Sequence, residues 1–302
     1  MTQNMKKIYI VGSLNMDLVI ETATMPDAGM TVTGGGFMTN PGGKGANQAA
    51  AVGKLGGNAY MVGAVGESFG DDLVAALGRC SVSTEFVERR SGVSSGIAVI
   101  VVADGDNRII LDKGANDCLS FDTIDRALMS ASEGDYLVTQ LEISQDCVRY
   151  ALQKAKEKKM ITLLNPAPAA PIGEGILAYC DYFTPNQSET EFYTGIYPSD
   201  EKTATAAAKA LQKMGVANAL ITMGVSGSFA LCGNECYRAE AFPVKALDTT
   251  AAGDTFVGGF VTLLSEGASV PEAMRFAAKA SSITVTRRGA QQSIPTRDEV
   301  IL

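Results

Sequence analysis

A short run near the C-terminus, Asp248-Thr-Thr-Ala-Ala-Gly-Asp254-Thr-Phe256, combines small residues with two carboxylates and leads into an apolar stretch predicted to be helical over Phe256–Leu264. The small residues would let a ligand approach the backbone closely, and free amides at the start of a helix bind anions. Asp254 is therefore a candidate base facing a substrate hydroxyl beside a bound phosphate. From spacing alone, an aspartate that merely caps the helix is an equally good interpretation.

A glycine-rich run, Pro41-Gly-Gly43-Lys44-Gly-Ala-Asn47-Gln48, is predicted to be a turn that opens a helix. It is not a Walker A loop, because a glycine rather than Ser or Thr follows the lysine, and it does not match the dinucleotide fingerprint. Lys44 and Asn47 are three residues apart, so on a helix they would point to the same side. Taken alone, the run is more typical of an ordinary turn than of a site.

A third polar run, Gly12-Ser-Leu-Asn15-Met-Asp17, comes directly after the first apolar strand. In an extended chain Asn15 and Asp17 project to one face, where they offer donors and acceptors suited to a polyol. This run too is, by itself, more typical of loop polarity than of a binding site.

The composition removes several classes of function. The chain of 302 residues contains no histidine, which excludes Ser-His-Asp and Cys-His catalysis and any imidazole base. Its formal net charge of −8 argues against binding to nucleic acid or to an anionic membrane surface. The longest apolar run, Ile97–Ala103, is far shorter than a membrane helix. With no export signal recognised and six scattered cysteines interpreted as free thiols, we expect a cytoplasmic protein.

The remaining pattern predicts an α/β fold. Short apolar strands alternate with amphipathic helices for most of the length, which is typical of a mostly parallel sheet covered by helices on both faces. Two stretches, 18–39 and 95–113, interrupt this alternation; the second contains a hairpin signal at Asp104-Gly-Asp106. We expect them to pair as a small β-sheet lid inserted into a main domain formed by residues 1–17, 40–94 and 114–302. Because Ile97–Val102 lacks polar alternation, a partner subunit is expected to cover the lid.

Together these runs resemble the PfkB carbohydrate kinase family over nearly the whole chain, from about Ile8 to Pro295. Further segments carry the resemblance: Gln140-Leu-Glu142, Asn165-Pro-Ala-Pro168, Thr184-Pro-Asn186, Ile221-Thr-Met-Gly224 and Val285-Thr-Arg-Arg-Gly-Ala-Gln291. The resemblance implies ATP-dependent phosphorylation of a sugar, D-ribose at its 5-hydroxyl, on a scaffold that is often dimeric through the lid.

The resemblance also implies roles for individual residues. Asp254 is the expected catalytic base. The expected sugar-binding set is Asn15, Asp17, Gly43, Lys44, Asn47, Glu142 and Asp254. The expected ATP-binding residues are Asn186, Thr222, Met223, Gly224, Val225, Ser226, Gly227, Ala252 and Gly253, with Ala251, Ala252 and Gly253 as an anion hole. Asn186 and Glu189 are expected to help hold Mg²⁺ and phosphate. A monovalent cation, K⁺, is expected at Asp248, Thr250, Thr284, Arg287, Gly289 and Ser293, mostly through backbone carbonyls.

Several alternatives stay open at this point. A kinase of 2-deoxyribose, another pentose or a nucleoside would use the same scaffold, and a catalytically silent sugar-binding regulator could retain it. A Rossmann dehydrogenase is disfavoured by the absent fingerprint. Relatives often place His or Asn near the adenine where this chain has Ala278, so the nucleotide preference is also open.

Overall fold

The computed structural model describes residues 5–104, 106–173 and 175–302. Its strands are, in chain order, β1 (Lys7–Val11), β2 (Asn15–Glu21), β3 (Gly35–Gly42), β4 (Asn58–Val65), β5 (Ser83–Arg89), β6 (Gly96–Ala103), β7 (Asp106–Asp112), β8 (Tyr136–Thr139), β9 (Ile161–Leu164), β10 (Tyr182–Phe183), β11 (Asn218–Thr222), β12 (Ser228–Cys232) and β13 (Glu235–Ala239). Its α-helices are α1 (Lys44–Lys54), α2 (Gly70–Arg79), α3 (Phe121–Met129), α4 (Gln145–Glu157), α5 (Gln187–Thr194), α6 (Glu201–Lys213), α7 (Ala252–Ser265) and α8 (Val270–Thr284).

Nine strands form the main sheet in the order β13-β12-β11-β10-β9-β8-β1-β4-β5. The pairs from β11 through β5 are parallel, whereas β12 and β13 add an antiparallel edge. Strands such as β1 and β8 are buried along nearly their whole length, because helices cover both faces of the sheet. The predicted α/β class with a mostly parallel sheet is confirmed.

The predicted second, smaller sheet is also present, with the order β3-β2-β6-β7. Its β2 strand pairs antiparallel with β3 and parallel with β6, so the two inserted stretches do associate. The strands reach slightly beyond the predicted stretches, since β2 begins at Asn15 and β3 ends at Gly42. The separation of this lid from the main domain at the predicted boundaries stays a prediction, and Gly105 of the hairpin signal lies outside the described residues.

Three helical packing contacts bring the distant chemical motifs together. Helix α1 begins against the connection between β1 and β2, and a Cβ at Gly45 would lie 2.5 Å from the backbone nitrogen of Ser13. Helix α7 packs on α1 so closely that a Cβ at Gly258 would lie 2.4 Å from the Ala51 side chain. Helix α8 then packs along α7. No helix in the described ranges has the length and apolarity to cross a bilayer.

Candidate active site

A cavity of about 980 Å³ opens at the carboxyl ends of the parallel strands. It lies beside β1, whose chain connections reverse direction between β8 and β4; in open α/β sheets such a switch point is where ligands bind. The small sheet forms one wall, and the start of α7 forms another. The predicted site residues that line the cavity are Asn15, Asp17, Lys44, Asn47, Glu142, Asn186, Glu189, Thr222, Asp248, Thr250, Ala251, Ala252, Gly253, Asp254 and Gly289.

The glycine-rich turn is shaped by close backbone packing rather than by phosphate binding. Gly43 has a φ of +89°, and a Cβ there would meet the Asn15 backbone nitrogen at 2.8 Å. Only glycine combines this conformation with this proximity. The turn thereby places the start of α1, with Lys44 and Asn47, beside the start of β2. Gly43 itself shapes the site without lining the cavity.

Asp254 lies in the first turn of α7, and its side chain does not cap that helix. Its Oδ2 accepts a hydrogen bond from Asn47 Nδ2 (3.1 Å) and its Oδ1 accepts one from Gln48 Nε2 (3.0 Å). Only 7% of the residue is exposed. The capping interpretation is therefore wrong for this carboxylate, which faces the cavity between two amide donors.

The electrostatics of the cavity are set by carboxylates around one lysine. Burial raises the pKa of Asp254, and the Lys44 ammonium and the two amide donors only partly oppose that effect. Burial lowers the pKa of Lys44, but the negative charges of Asp254, Glu142 and Glu189 have a larger, opposite effect. The net result is a raised pKa, so the ammonium form is favoured. A carboxylate held at a raised pKa beside a fixed positive charge is a suitable general base.

A second hydrogen-bonded group lines the cavity around Glu142. Its Oε2 accepts from Ser13 Oγ (2.6 Å) and from the Lys44 backbone N–H (3.0 Å), and it lies 3.5 Å from Asn15 Nδ2. Asn116, from a turn far along the chain, donates to Asn15 Oδ1 at 2.7 Å. These contacts hold Asn15 and Glu142 in fixed orientations, as recognition of a polyol requires.

Asp17 follows Asn15 on the same face of β2 and lines the cavity. Burial raises its pKa to about 7, and the nearby carboxylates of Glu142 and Asp254 contribute to that rise. The protonation state of Asp17 therefore changes in the neutral range, where a sugar hydroxyl could donate to its ionised form.

The start of α7 provides a binding place for an anion. Ala251 precedes the helix in the left-handed conformation (φ +59°), and no side chain in the described part of the chain caps the helix. The backbone N–H groups of Gly253 and Asp254 have no acceptor among the described residues, and a Cβ at Gly253 would meet nothing within 4 Å. Open space before free helix N-terminal amides suits a phosphate group.

Only some of the other residues predicted to bind ATP or Mg²⁺ line the cavity. Asn186 and Glu189 form a reciprocal capping box at the start of α5 while both line the cavity. Thr222 lines it as well, but the Met223 side chain is buried and Val225 is 98% exposed. Gly224, Ser226 and Gly227 complete a turn that lies outside the main cavity.

The positions predicted for a monovalent cation lie in two segments that one carboxylate joins. Asp248 Oδ1 accepts from the Thr250 N–H and its Oδ2 from the Gly289 N–H, both at 2.9 Å. Thr284 is buried where α8 packs on α7, and its hydroxyl lies within hydrogen-bond distance of the Ala280 carbonyl and of Thr255 Oγ1. Two further predicted positions do not present side chains to the cavity, because Arg287 pairs with Glu299 and Ser293 Oγ donates to the Ala290 carbonyl.

Five polar residues that hold the site together were not predicted to act there: Ser13, Gln48, Asn116, Gln140 and Asn165. Four of them, all except Asn116, lie inside motifs quoted above, so their polar side chains beside apolar strands were a usable signal. Asn116 lies 101 residues from its partner Asn15, and nothing in the local pattern links the two. Among the described residues, no three His, Cys, Asp or Glu side chains form a metal-binding group.

Comparison with known proteins agrees with this geometry. A model described as "pfkB family carbohydrate kinase" matches residues 5–297. Ribokinase of Haemophilus influenzae is 38% identical over 298 residues, covering 98% of this chain and 97% of that protein, and deoxyribokinase of Salmonella typhi is 36% identical over 297 residues, covering 97% and 96%. Arabidopsis thaliana ribokinase, solved with ribose and ATP, has a TM-score of 0.91 at 32% identity, covering 98% of this chain and 97% of that one. The chain therefore belongs to the pfkB family of carbohydrate kinases.

Proposed function

We propose that this protein transfers the γ-phosphoryl group of ATP to the 5-hydroxyl of D-ribose. One observation carries the proposal: a polyol-binding group and an anion-binding helix start face each other across one cavity, with Asp254 between them. The similarity to proteins named ribokinase supports the choice of sugar.

The sugar side is assigned to Asn15, Asp17 and Glu142, with Lys44 and Asn47 at its edge. Asn47 Oδ1 is buried and has no hydrogen-bond partner among the described residues, so a sugar hydroxyl that donates to it would satisfy that atom. A sugar that lacked one hydroxyl would leave a buried polar group unpaired, which favours ribose over 2-deoxyribose. The described lining residues include no aromatic side chain, so a nucleoside base would find no stacking surface.

In this proposal Asp254 accepts the proton of the attacking hydroxyl. Phosphoryl transfer is largely dissociative, so that proton leaves late and a carboxylate base suffices without histidine. The free amides at Gly253 and Asp254 stabilise the charge on the transferred group, and Lys44 adds positive charge beside it. Mg²⁺ bound with ATP would neutralise further phosphate charge, and the oxygens of Asn186 and Glu189 are suited to hold it or its water ligands.

The substrate assignment predicts the outcome of a direct comparison. ADP release is measured with Mg-ATP and each of D-ribose, 2-deoxyribose, D-fructose and adenosine. We expect the highest kcat/KM on D-ribose and none above background without sugar. A preference for 2-deoxyribose or adenosine would keep the scaffold and refute the assignment of the sugar site. Binding of ribose without turnover on any sugar would identify a silent regulator.

A monovalent cation is proposed beside Asp248, held mainly by backbone carbonyls of the 284–293 segment. Burial raises the pKa of Asp248, but hydrogen bonds from Thr250 and from the Gly289 N–H, together with the charge of Arg288, outweigh burial and lower that pKa, so the carboxylate is ionised where it joins the two segments. A cation there would stiffen the turn that carries the anion-binding amides. We expect kcat to be several-fold higher in KCl than in NaCl at equal ionic strength. Equal activity in the two salts would contradict this site.

A dimer is proposed through the outer face of the small sheet. Leu18, Val99 and Ile110 lie side by side across β2, β6 and β7, on the face opposite the cavity, and Ile110 is 72% exposed. A second copy of the chain is the proposed cover for this apolar row. We expect sedimentation as a dimer at micromolar concentration and as a monomer after Ile110→Lys. Met129→Lys, at an exposed position on α3, is the matched control that should stay dimeric.

A further inference from the structure

Gln48 is fully buried and lies directly behind Asp254. Its Nε2 donates to Asp254 Oδ1 at 3.0 Å and to Asn165 Oδ1 at 3.1 Å. Its Oε1 accepts from Gln140 Nε2 at 2.6 Å. Both amide hydrogens and the amide oxygen are thus engaged, which is complete satisfaction for a neutral buried side chain.

The direction of these bonds is fixed by a backbone carbonyl. Asn165 Nδ2 donates to the Thr184 carbonyl at 2.7 Å, and a carbonyl can only accept. Asn165 must therefore turn its oxygen toward Gln48, and Gln48 must present its NH₂ group to it. The same NH₂ group then faces Asp254. A flipped Gln48 would place its oxygen against two acceptors, Asn165 Oδ1 and Asp254 Oδ1, and its NH₂ group against the Nε2 donor of Gln140.

Gln140 secures the other end of the amide. It is fully buried, and it reaches Gln48 only because residue 12 is glycine: a Cβ there would lie 2.1 Å from Gln140 Oε1. Gln140 directly follows β8 and precedes Glu142 of the sugar side by two residues, and Asn165 directly follows β9. Through these amides and the Thr184 carbonyl, the orientation of Asp254 depends on the carboxyl ends of three neighbouring strands, β8, β9 and β10.

From this arrangement we propose that Gln48, oriented by Gln140 and Asn165, is a positioning residue that fixes the rotation of the Asp254 carboxylate and favours its ionised form. The proposal rests on the proposed role of Asp254 as base. Asn47 serves the other carboxylate oxygen, but it lies at the cavity surface with an unpartnered oxygen of its own, so it is placed to exchange partners when a sugar binds. Gln48 has no such freedom.

The charged groups that face Asp254 do not provide this orientation. Lys44 lies on α1, Glu142 follows β8, Asp17 lies on β2 and Glu189 lies on α5; these groups interact with the Asp254 site through their charges. All four remain in a Gln48 variant. Because these charges are unchanged in the variant, any change in the pKa of Asp254 reports the loss of the hydrogen bond from Gln48.

The test is the pH profile of Gln48→Met, measured as kcat at saturating sugar and ATP. Loss of one buried donor to a carboxylate should move the acid limb upward by about 1–2 pH units. We expect kcat at its plateau to fall about 10- to 100-fold, because the carboxylate loses its fixed rotation. KM for sugar should change less than threefold. Thr262→Val, which removes a buried hydroxyl from α7 away from the site, is the matched control and should leave the acid limb in place.

A double-mutant cycle separates positioning from general damage. On an Asp254→Asn background, Gln48→Met should cause no further loss of kcat, since the group it positions is no longer a base. Equal losses on both backgrounds, or an unmoved acid limb in Gln48→Met, would overturn the proposal. Should Gln48→Met fail to fold, the double variant Gln140→Met/Asn165→Leu retains Gln48 but removes both partners that fix its orientation; an acid limb identical to that of the parent would then overturn the proposal. Normal turnover by Asp254→Asn would instead refute the proposed function itself.

Discussion

Asp254→Asn is expected to lower kcat on D-ribose by at least about 100-fold, with KM for sugar and ATP changed only a few-fold. The substitution retains the shape of the side chain and removes its ability to accept a proton. The folded protein should be at least as stable as the parent, because burial raises the pKa of Asp254 and the ionised carboxylate therefore disfavours the folded state. Steady-state ADP release and thermal unfolding check the two parts.

Asp146→Asn provides the matched control. Asp146 also lies in the first turn of a helix, α4, but it is exposed and remote from the cavity. It should leave kcat unchanged and lower stability slightly through the helix dipole. Normal turnover by Asp254→Asn, together with a similar small loss of stability in both variants, would show that Asp254 is only a helix-terminal aspartate.

The second large expected effect is a dependence of ribose affinity on pH, caused by Asp17. Because burial and the neighbouring carboxylates raise its pKa to about 7, the free protein loses its ionised form below neutrality. If the sugar donates to that carboxylate, affinity for ribose should fall about tenfold between pH 8 and pH 6, which follows from one protonation near pH 7. In Asp17→Asn the affinity should be weaker at pH 8 and nearly independent of pH. Calorimetric titration with ribose measures both.

The same shift has the opposite consequence for stability. A carboxyl whose folded-state pKa lies above its unfolded value of 3.8 favours folding at low pH, and its contribution declines as pH rises from about 4 to about 7. Asp17→Asn should therefore raise the free energy of unfolding at pH 8 by up to about 4 kcal/mol, which corresponds to a shift of about three pKa units. Asp27→Asn, at an exposed loop position of the small-sheet insertion, should change neither binding nor stability. Ribose affinity that is constant from pH 6 to pH 8 in the parent would contradict the role of Asp17.

The sequence was sufficient for the fold wherever burial produced a clear pattern. The sequence predicts strands at Ile8–Val11 and Ala59–Val65 and a helix at Gly45–Leu55, and every bound of β1, β4 and α1 lies within one residue of these, because the segments are apolar or alanine-rich. Strand β5 was missed because it is polar and only half-buried. The antiparallel edge formed by β12 and β13 was also not predicted, although the Gly233-Asn234 pair that joins the two strands is a hairpin signal.

The candidate site, like the fold, was predictable from the sequence only in part. Asp254, Lys44 and Asn15 lie in motifs whose joint resemblance to the PfkB family implied one site, and the structure brings them into one cavity. Contacts such as Asn116 with Asn15 depend on chain segments about a hundred residues apart, so no local pattern could show them. The orientation of Gln48 was equally hidden, because it follows from a carbonyl at the end of β10.

The most direct test of the proposed function is the identity of the product formed from D-ribose and Mg-ATP, followed by phosphorus NMR. We expect a phosphomonoester signal that is split by the two protons on carbon 5, is formed in equal amount to ADP and is absent with Asp254→Asn. ADP accompanied by inorganic phosphate alone, or a phosphate split by the single anomeric proton, would contradict it.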